Sequence, residues 1–248
     1  MPERPPKLTI VPDAAALAQT AAQRLLARLA EPRDRFAVAL TGGSSPEGLY
    51  RLLASEPYRN QVPWPRVHWF WGDDRFVPQS DGRSNAGVAR RLFLDRVQAP
   101  PETIHAIPTD AANPDEAARR YEADLQAFYG ADRLDPGRPL FDLVLLGLGG
   151  DGHVASLFPG QPQVDETKRW AVGVPEAGME PYVPRVSLTL PALASTRDML
   201  FLVTGRGKRE ILGRVLSGAD LPAARVHANG DLVWLVDRDA APERRDVA

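Results

Sequence analysis

The stretch Leu143-Val-Leu-Leu-Gly-Leu-Gly-Gly-Asp-Gly-His-Val-Ala-Ser-Leu-Phe-Pro159 passes from an unbroken apolar run into a loop holding four glycines, an acid and an imidazole. An apolar run with no polar alternation reads as a strand buried on both faces, the kind found in parallel sheets. The glycines let the backbone turn sharply and lie open to a ligand. A buried strand ending in a glycine loop that carries Asp151 and His153 is where an α/β protein places chemistry.

Outward from this stretch, strand and helix patterns alternate. Strands are expected at 7–11, 36–40, 67–71, 141–148, 199–203 and 232–236. Arg185 to Leu190 alternates as a strand or sheet edge would. Helices are expected from a cap at Asp13 to about Ala30, after Pro46, from Asn85 to about Val97, and from Ala111 to Tyr129. Residues 160–184, rich in proline and glycine, are expected to wander over the surface. The alternation predicts an α/β fold: three layers, with a mostly parallel central sheet covered by helices on both faces. No linker or repeat divides the 248 residues, so a single domain, with room for a small subdomain, is expected.

Composition narrows the function. A net charge of −2 gives no basic footprint for nucleic acid. No run approaches the roughly 20 apolar residues of a membrane helix, and the N-terminal residues carry no signal-peptide pattern. The chain has no cysteine, which removes disulfides and thiolate nucleophiles and fits a cytoplasmic protein. No His, Asp or Glu spacing suggests a metal site.

Three further segments carry candidate chemistry. Thr41-Gly-Gly-Ser-Ser-Pro46 follows a strand and opens a helix, so Gly42, Gly43 and Ser44 offer uncovered amides for a phosphate; an ordinary capped turn is the plainer reading. It is neither a Walker loop nor a dinucleotide fingerprint. Asp73, Asp74 and Arg75 follow the next strand, where Arg75 either forks onto a phosphate or pairs with its own aspartates. Arg185 and Lys208, taken alone, read as solvated surface charges. His153 is the one histidine in a glycine loop, suited to take a proton from water, with Asp151 to orient it or to touch substrate. His68, His105 and His227 read as structural.

Thr41–Pro46, Asp73-Asp-Arg-Phe-Val-Pro78, Ser84-Asn85, Gly147–Pro159, Arg185-Val-Ser-Leu-Thr189 and Lys208 occur in the order seen in 6-phosphogluconolactonases, which the chain resembles over residues 8–240. The resemblance implies the modified Rossmann-like fold of sugar-phosphate isomerases and deaminases. It implies hydrolysis of 6-phospho-D-glucono-1,5-lactone in the oxidative pentose phosphate pathway, without cofactor or metal. His153 would be the base and Asp151 its orienting partner; Gly42, Gly43, Ser44, Asp73, Arg75, Arg185 and Lys208 would hold the substrate. A monomer is expected, with no nucleic-acid or membrane partner. Asp74 departs from the family, which usually has Glu there. The related glucosamine-6-phosphate deaminases carry a glutamate five residues after the motif histidine. Here that position is Phe158, which cannot carry a proton, so hydrolysis is favoured over isomerisation. A sugar-phosphate-sensing regulator is a lesser alternative, since no DNA-reading element is present.

Overall fold

The computed structural model describes residues 5–243. In chain order it contains β1 (Lys7–Val11), α1 (Ala14–Leu29), β2 (Phe36–Leu40), α2 (Glu47–Leu53), β3 (Val67–Trp71), β4 (Asp73–Arg75), α3 (Asn85–Leu92), α4 (Pro114–Tyr129), β5 (Leu143–Leu146), β6 (Ala171–Val174), β7 (Arg185–Leu188), α5 (Leu190–Ala194), β8 (Asp198–Val203), α6 (Arg209–Leu216) and β9 (Asp231–Asp237).

Six strands form a parallel sheet in the order β1-β9-β8-β5-β2-β3. Every residue of β2, β5 and β8 is buried, so both faces of the sheet are covered, as a parallel sheet requires. The expected three-layer α/β architecture is therefore the observed one. From β2 the chain moves outward to β3, then returns to the other side of β2 for β5. Loops leaving β2 and β5 diverge at this switch, opening a crevice at the carboxyl ends of the strands.

A second, antiparallel sheet in the order β4-β7-β6 grows from the first. Gly72 joins them: its N–H donates to Leu40 O of the parallel sheet, and its carbonyl accepts from Leu188 N of the small one. The strand that enters as β3 thus leaves as β4 in a different sheet, carrying Asp73, Asp74 and Arg75 with it.

Two buried tyrosines finish the strand ends that feed the crevice. Tyr50 of α2 accepts from Thr41 N (3.1 Å) and donates to Thr41 O (2.6 Å). Tyr121 of α4 does the same for Trp71, at 2.8 and 2.9 Å. Burial pushes both phenols above their usual pKa, so each stays a neutral donor and acceptor.

Several boundaries differ from expectation. Helix α4 starts at Pro114, not Ala111, because Asn113 caps it by accepting from Glu116 N and proline suits the first helical position. Helix α3 stops at Leu92: Phe93 leaves helical geometry and stacks on Tyr50 while meeting Trp69 edge-on. A single 3-10 turn follows at Leu94–Arg96. The strand expected over 141–148 is regular only at Leu143–Leu146, since Gly147 begins the loop. Residues 160–184 are not all surface coil, for β6 is buried throughout and packs beside α4. Strand β7 is the centre of its sheet rather than an edge. The charged tail beyond residue 243 lies outside the described residues.

Tyr121→Phe strands both the N–H and the carbonyl of Trp71 in the interior. A loss of about 1–3 kcal/mol is expected for such an unsatisfied buried pair, read as a lower midpoint in urea unfolding.

Candidate active site

The glycine loop is shaped around its own histidine. Asp151 Oδ1 accepts from both His153 N (3.0 Å) and His153 Nδ1 (2.6 Å). Gly152 between them has φ +89°, a left-handed conformation that glycine adopts without a Cβ penalty. The one-residue spacing therefore gives a direct Asp–His bond. Burial pushes the Asp151 carboxyl up, but the bonds from His153 outweigh it and hold the group below its usual value. The carboxylate fixes the proton on Nδ1, leaving Nε2 with the lone pair that a base needs. Gly149 lies against the imidazole so closely that a Cβ there would collide with the ring. Its N–H donates to His153 O, and its carbonyl accepts from Gly152 N. The amides of Gly149 and Gly152 are thus taken up inside the loop.

A tight turn follows, with Ala155 at φ 49°. It swings Ser156 inward, where Ser156 Oγ donates to Asp73 Oδ2 at 2.6 Å and Ser156 N donates to Ser187 Oγ at 3.1 Å. Asp73 therefore ties the glycine loop to the small sheet. Phe158 is buried, with its ring centroid 4.7 Å from that of His153 and 5.6 Å from the Arg185 guanidinium carbon. An aromatic ring fills the space next to the base.

The crevice above this loop has a volume of about 210 Å³ and is lined by His153, Gly42, Gly43, Asp73, Arg75, Arg185 and Lys208, among others. A larger cleft of about 990 Å³ runs along α6 and holds none of the glycine-loop residues.

Arg75 and Arg185 are direct register partners on antiparallel β4 and β7. Such partners project on the same face, and like charges placed so are destabilising. Neither guanidinium is neutralised as the plainer sequence reading of Arg75 had it. Arg75 Nη1 donates to Arg83 O (2.7 Å), and Arg185 Nη2 donates to the carbonyls of Met179 (3.2 Å) and Pro181 (2.9 Å). Among the described residues, the Nε of each is buried without a partner. Arg185 is 3% exposed, which corrects its reading as a solvated charge, and burial pulls its pKa down. Lys208, in the turn after β8, is likewise lowered by burial, partly offset by Asp151. Two opposed guanidinium groups, that of Arg185 buried and each with an unused Nε–H, offer an anion seat.

Ser44 is exposed and does not line the crevice. Helix α2 behind it starts only at Glu47, so Ser44 rides on the outer side of the turn. Asp151 stands behind His153. Residues not named among the expected site also line the crevice: Thr41, Asn85, Met179 and Glu180. Asn85 fits against Gly42, where any Cβ would collide with it. The small loop residue beside a capped helix start is the signal that points to it. His68 and His105 join Asp124 in a separate chain of contacts, at 3.0 and 2.9 Å. There burial and then His105 push His68 down to about 4, which fits their structural reading. Among the described residues no three His, Asp or Glu gather as metal ligands, and no helix is long and apolar enough to cross a membrane.

Residues 12–234 match the family model described as glucosamine-6-phosphate isomerases/6-phosphogluconolactonase. A 6-phosphogluconolactonase of Synechocystis sp. is 38% identical over 227 residues, spanning 90% of both chains. The solved 6-phosphogluconolactonase of Thermotoga maritima superposes with a TM-score of 0.81 at 29% identity, covering 94% of this chain and all of that one. A monomeric glucosamine-6-phosphate deaminase shares the fold, with a TM-score of 0.80 at 21% identity over 94% of this chain and 98% of its own.

Gly149→Ala is expected to displace the imidazole while leaving the strands intact. Misplacing a catalytic group by about 1 Å costs on the order of 10²-fold, so kcat should fall by about that much with an unchanged unfolding midpoint.

Proposed function

The chain belongs to the glucosamine-6-phosphate isomerase/6-phosphogluconolactonase family, and we propose that it hydrolyses 6-phospho-D-glucono-1,5-lactone to 6-phospho-D-gluconate through His153. The reaction is that of a carboxylic ester hydrolase in the oxidative pentose phosphate pathway. The observation that carries the mechanism is the Asp151–His153 bond of 2.6 Å, made at the wall of a crevice that also holds Arg75, Arg185 and Lys208.

A lactone is an activated ester, so a positioned base and a bound water suffice. The phosphate occupies the space between Arg75 and Arg185, using their unpaired donors and relieving their mutual repulsion. Lys208 and the Gly42–Gly43 turn add charge and amides. Held at that end, the ring carbonyl meets a water beside His153, which lowers the entropic cost of attack. Nε2 takes a proton from the water as its oxygen bonds to the carbonyl carbon. The tetrahedral intermediate then collapses with cleavage of the bond to the ring oxygen, and the proton on Nε2 passes to that oxygen. Asp151, kept ionised, stabilises the imidazolium between the two transfers. The product has a carboxylate at one end and its phosphate at the other, and one proton is released to solvent.

Phe158 argues against the deaminase alternative. The ring next to the imidazole is apolar and buried, so the proton shuttle of an aldose–ketose conversion has no acid at that place. The reading is of a monomeric cytoplasmic enzyme with a small-molecule substrate.

Lactone hydrolysis followed by pH-stat at low temperature, where spontaneous opening is slow, tests the reading. General-base catalysis contributes about 10²–10⁴-fold, and His153→Ala should lose that much in kcat with KM largely kept. Near-normal turnover would remove His153 from the mechanism, and absence of lactone hydrolysis by the unaltered chain would remove the function. Arg75→Ala is expected to act mainly on KM; an unchanged KM for the phosphorylated lactone would make Arg75 structural.

A further inference from the structure

Asp74 lies directly beneath the anion seat and touches none of the crevice. It is fully buried, yet its carboxylate accepts four hydrogen bonds: Oδ1 from Arg75 N (2.7 Å) and Asn85 N (2.6 Å), Oδ2 from Ala86 N (2.9 Å) and Ser84 Oγ (3.1 Å). A carboxylate has about four lone-pair sites, so all are filled. Ser84 Oγ in turn accepts from Gly87 N (3.0 Å). The two side chains together satisfy the first three amides of α3, which would otherwise be orphaned.

The donors matter for where they lie. Arg75 is held by its own backbone N–H. Arg83, whose carbonyl receives the Arg75 guanidinium, immediately precedes Ser84. Asn85, whose backbone N–H is also held, lines the crevice against Gly42 and donates from Nδ2 to Asp73 O (2.9 Å). The base of the Arg75 side chain, the acceptor that aims its tip, and the neighbouring crevice residue thus hang on one carboxylate. We propose that Asp74 is a positioning residue that sets the reach of Arg75 and Asn85 into the crevice, and that only its ionised form does so.

The ionised form is favoured because three of the four groups facing it are backbone N–H groups, which can only donate. A protonated Asp74 presents an O–H of its own, which only the Ser84 hydroxyl can accept, so the bond from Ser84 must reverse or break. Burial, opposed by the amides of Ala86 and Asn85, pushes the group up to about 6. The charged or titratable groups around it are Asp73 and Arg75 on its own strand, Arg185 on β7 and the neutral phenol of Tyr121 on α4. The clasp is therefore closed at neutral pH and loosens as pH falls through about 6. Because this folded value lies above the ordinary carboxyl value of 3.8, protonation relieves the burial cost of the charge. Acid thus opens the clasp without unfolding the chain on that account.

This rests on the reading of Arg75 as a phosphate anchor, and the measurements separate the two. KM and kcat for the phosphorylated lactone are followed from pH 7.5 to 5.5 in the unaltered chain, Asp74→Asn and Asp74→Glu. Asp74→Asn places an amide donor among donors. Loss of a hydrogen bond to a charged group is worth about tenfold, so KM at pH 7.5 should rise by about that factor with kcat changed less than about twofold. The substrate phosphate itself titrates near 6, but in all proteins alike. The unaltered chain should therefore show a steeper rise of KM on acidification than Asp74→Asn. Asp74→Glu, which restores a carboxylate, should recover most of the affinity. In an Arg75→Ala background Asp74→Asn should add little to KM, since the two act as one. Equal pH profiles, or a fall in kcat as large as the rise in KM, would overturn the inference while leaving the lactonase reading standing; a chain with no lactone hydrolysis overturns the reading itself. If Asp74→Asn does not fold, Ser84→Ala removes one of the four donors, and an unchanged KM there overturns the proposal equally.

Discussion

Two guanidinium groups placed opposite each other on adjacent antiparallel strands are the constraint around which the crevice is built. Arg75 and Arg185 repel across the strand pair, Arg185 is buried, and among the described residues the Nε of each has no partner. Left to themselves they would splay towards solvent. They are held by backbone carbonyls at Arg83, Met179 and Pro181, which orient a cation without neutralising it. Aspartates nearby are engaged elsewhere: Asp73 with Ser156, Asp74 with the start of α3. The positive charge is thereby kept available. That is a stability cost the fold carries.

The imidazole side follows a complementary rule. Where the arginines are denied carboxylate partners, His153 is given one. Asp151 lies two residues away, bound through both the backbone and the ring. Gly149 leaves room for the ring and Phe158 closes its far side. The same phenyl ring also lies near Arg185. One apolar residue thus spaces the base from the anion seat, and an ionised acid at 158 would draw on both.

Much of this was legible in the sequence. The apolar runs of β2, β5 and β8 mark a sheet buried on both faces, and the glycine loop after β5 marks the end at which the crevice opens. What escaped depended on contacts distant in sequence. Nothing local distinguishes the buried Arg185 from a surface arginine, because its burial comes from the 175–184 segment folding over it. Strand β6 was hidden among prolines and glycines, although Trp170-Ala-Val-Gly-Val174 is apolar enough to suggest it. Ser44 reads as a phosphate ligand by its neighbours, yet the helix begins only at Glu47 and Ser44 is exposed, outside the crevice lining. Asp74 looked like a minor departure from a family pattern, and only the start of α3, ten residues on, shows what its carboxylate does.

The reliance of both arginines on main-chain carbonyls has an evolutionary side. A carbonyl is present whatever side chain the residue bears. The segment 179–183 can therefore change Met179, Tyr182 or Val183 and still offer the same acceptors to Arg185, provided the path of the backbone survives. The side chains at 179 and 180, which reach the crevice, are then free to change its shape, while the acceptors that hold Arg185 stay as they are. Mutational supply at this site is thus divided by chemistry: side chains for novelty, backbone for continuity.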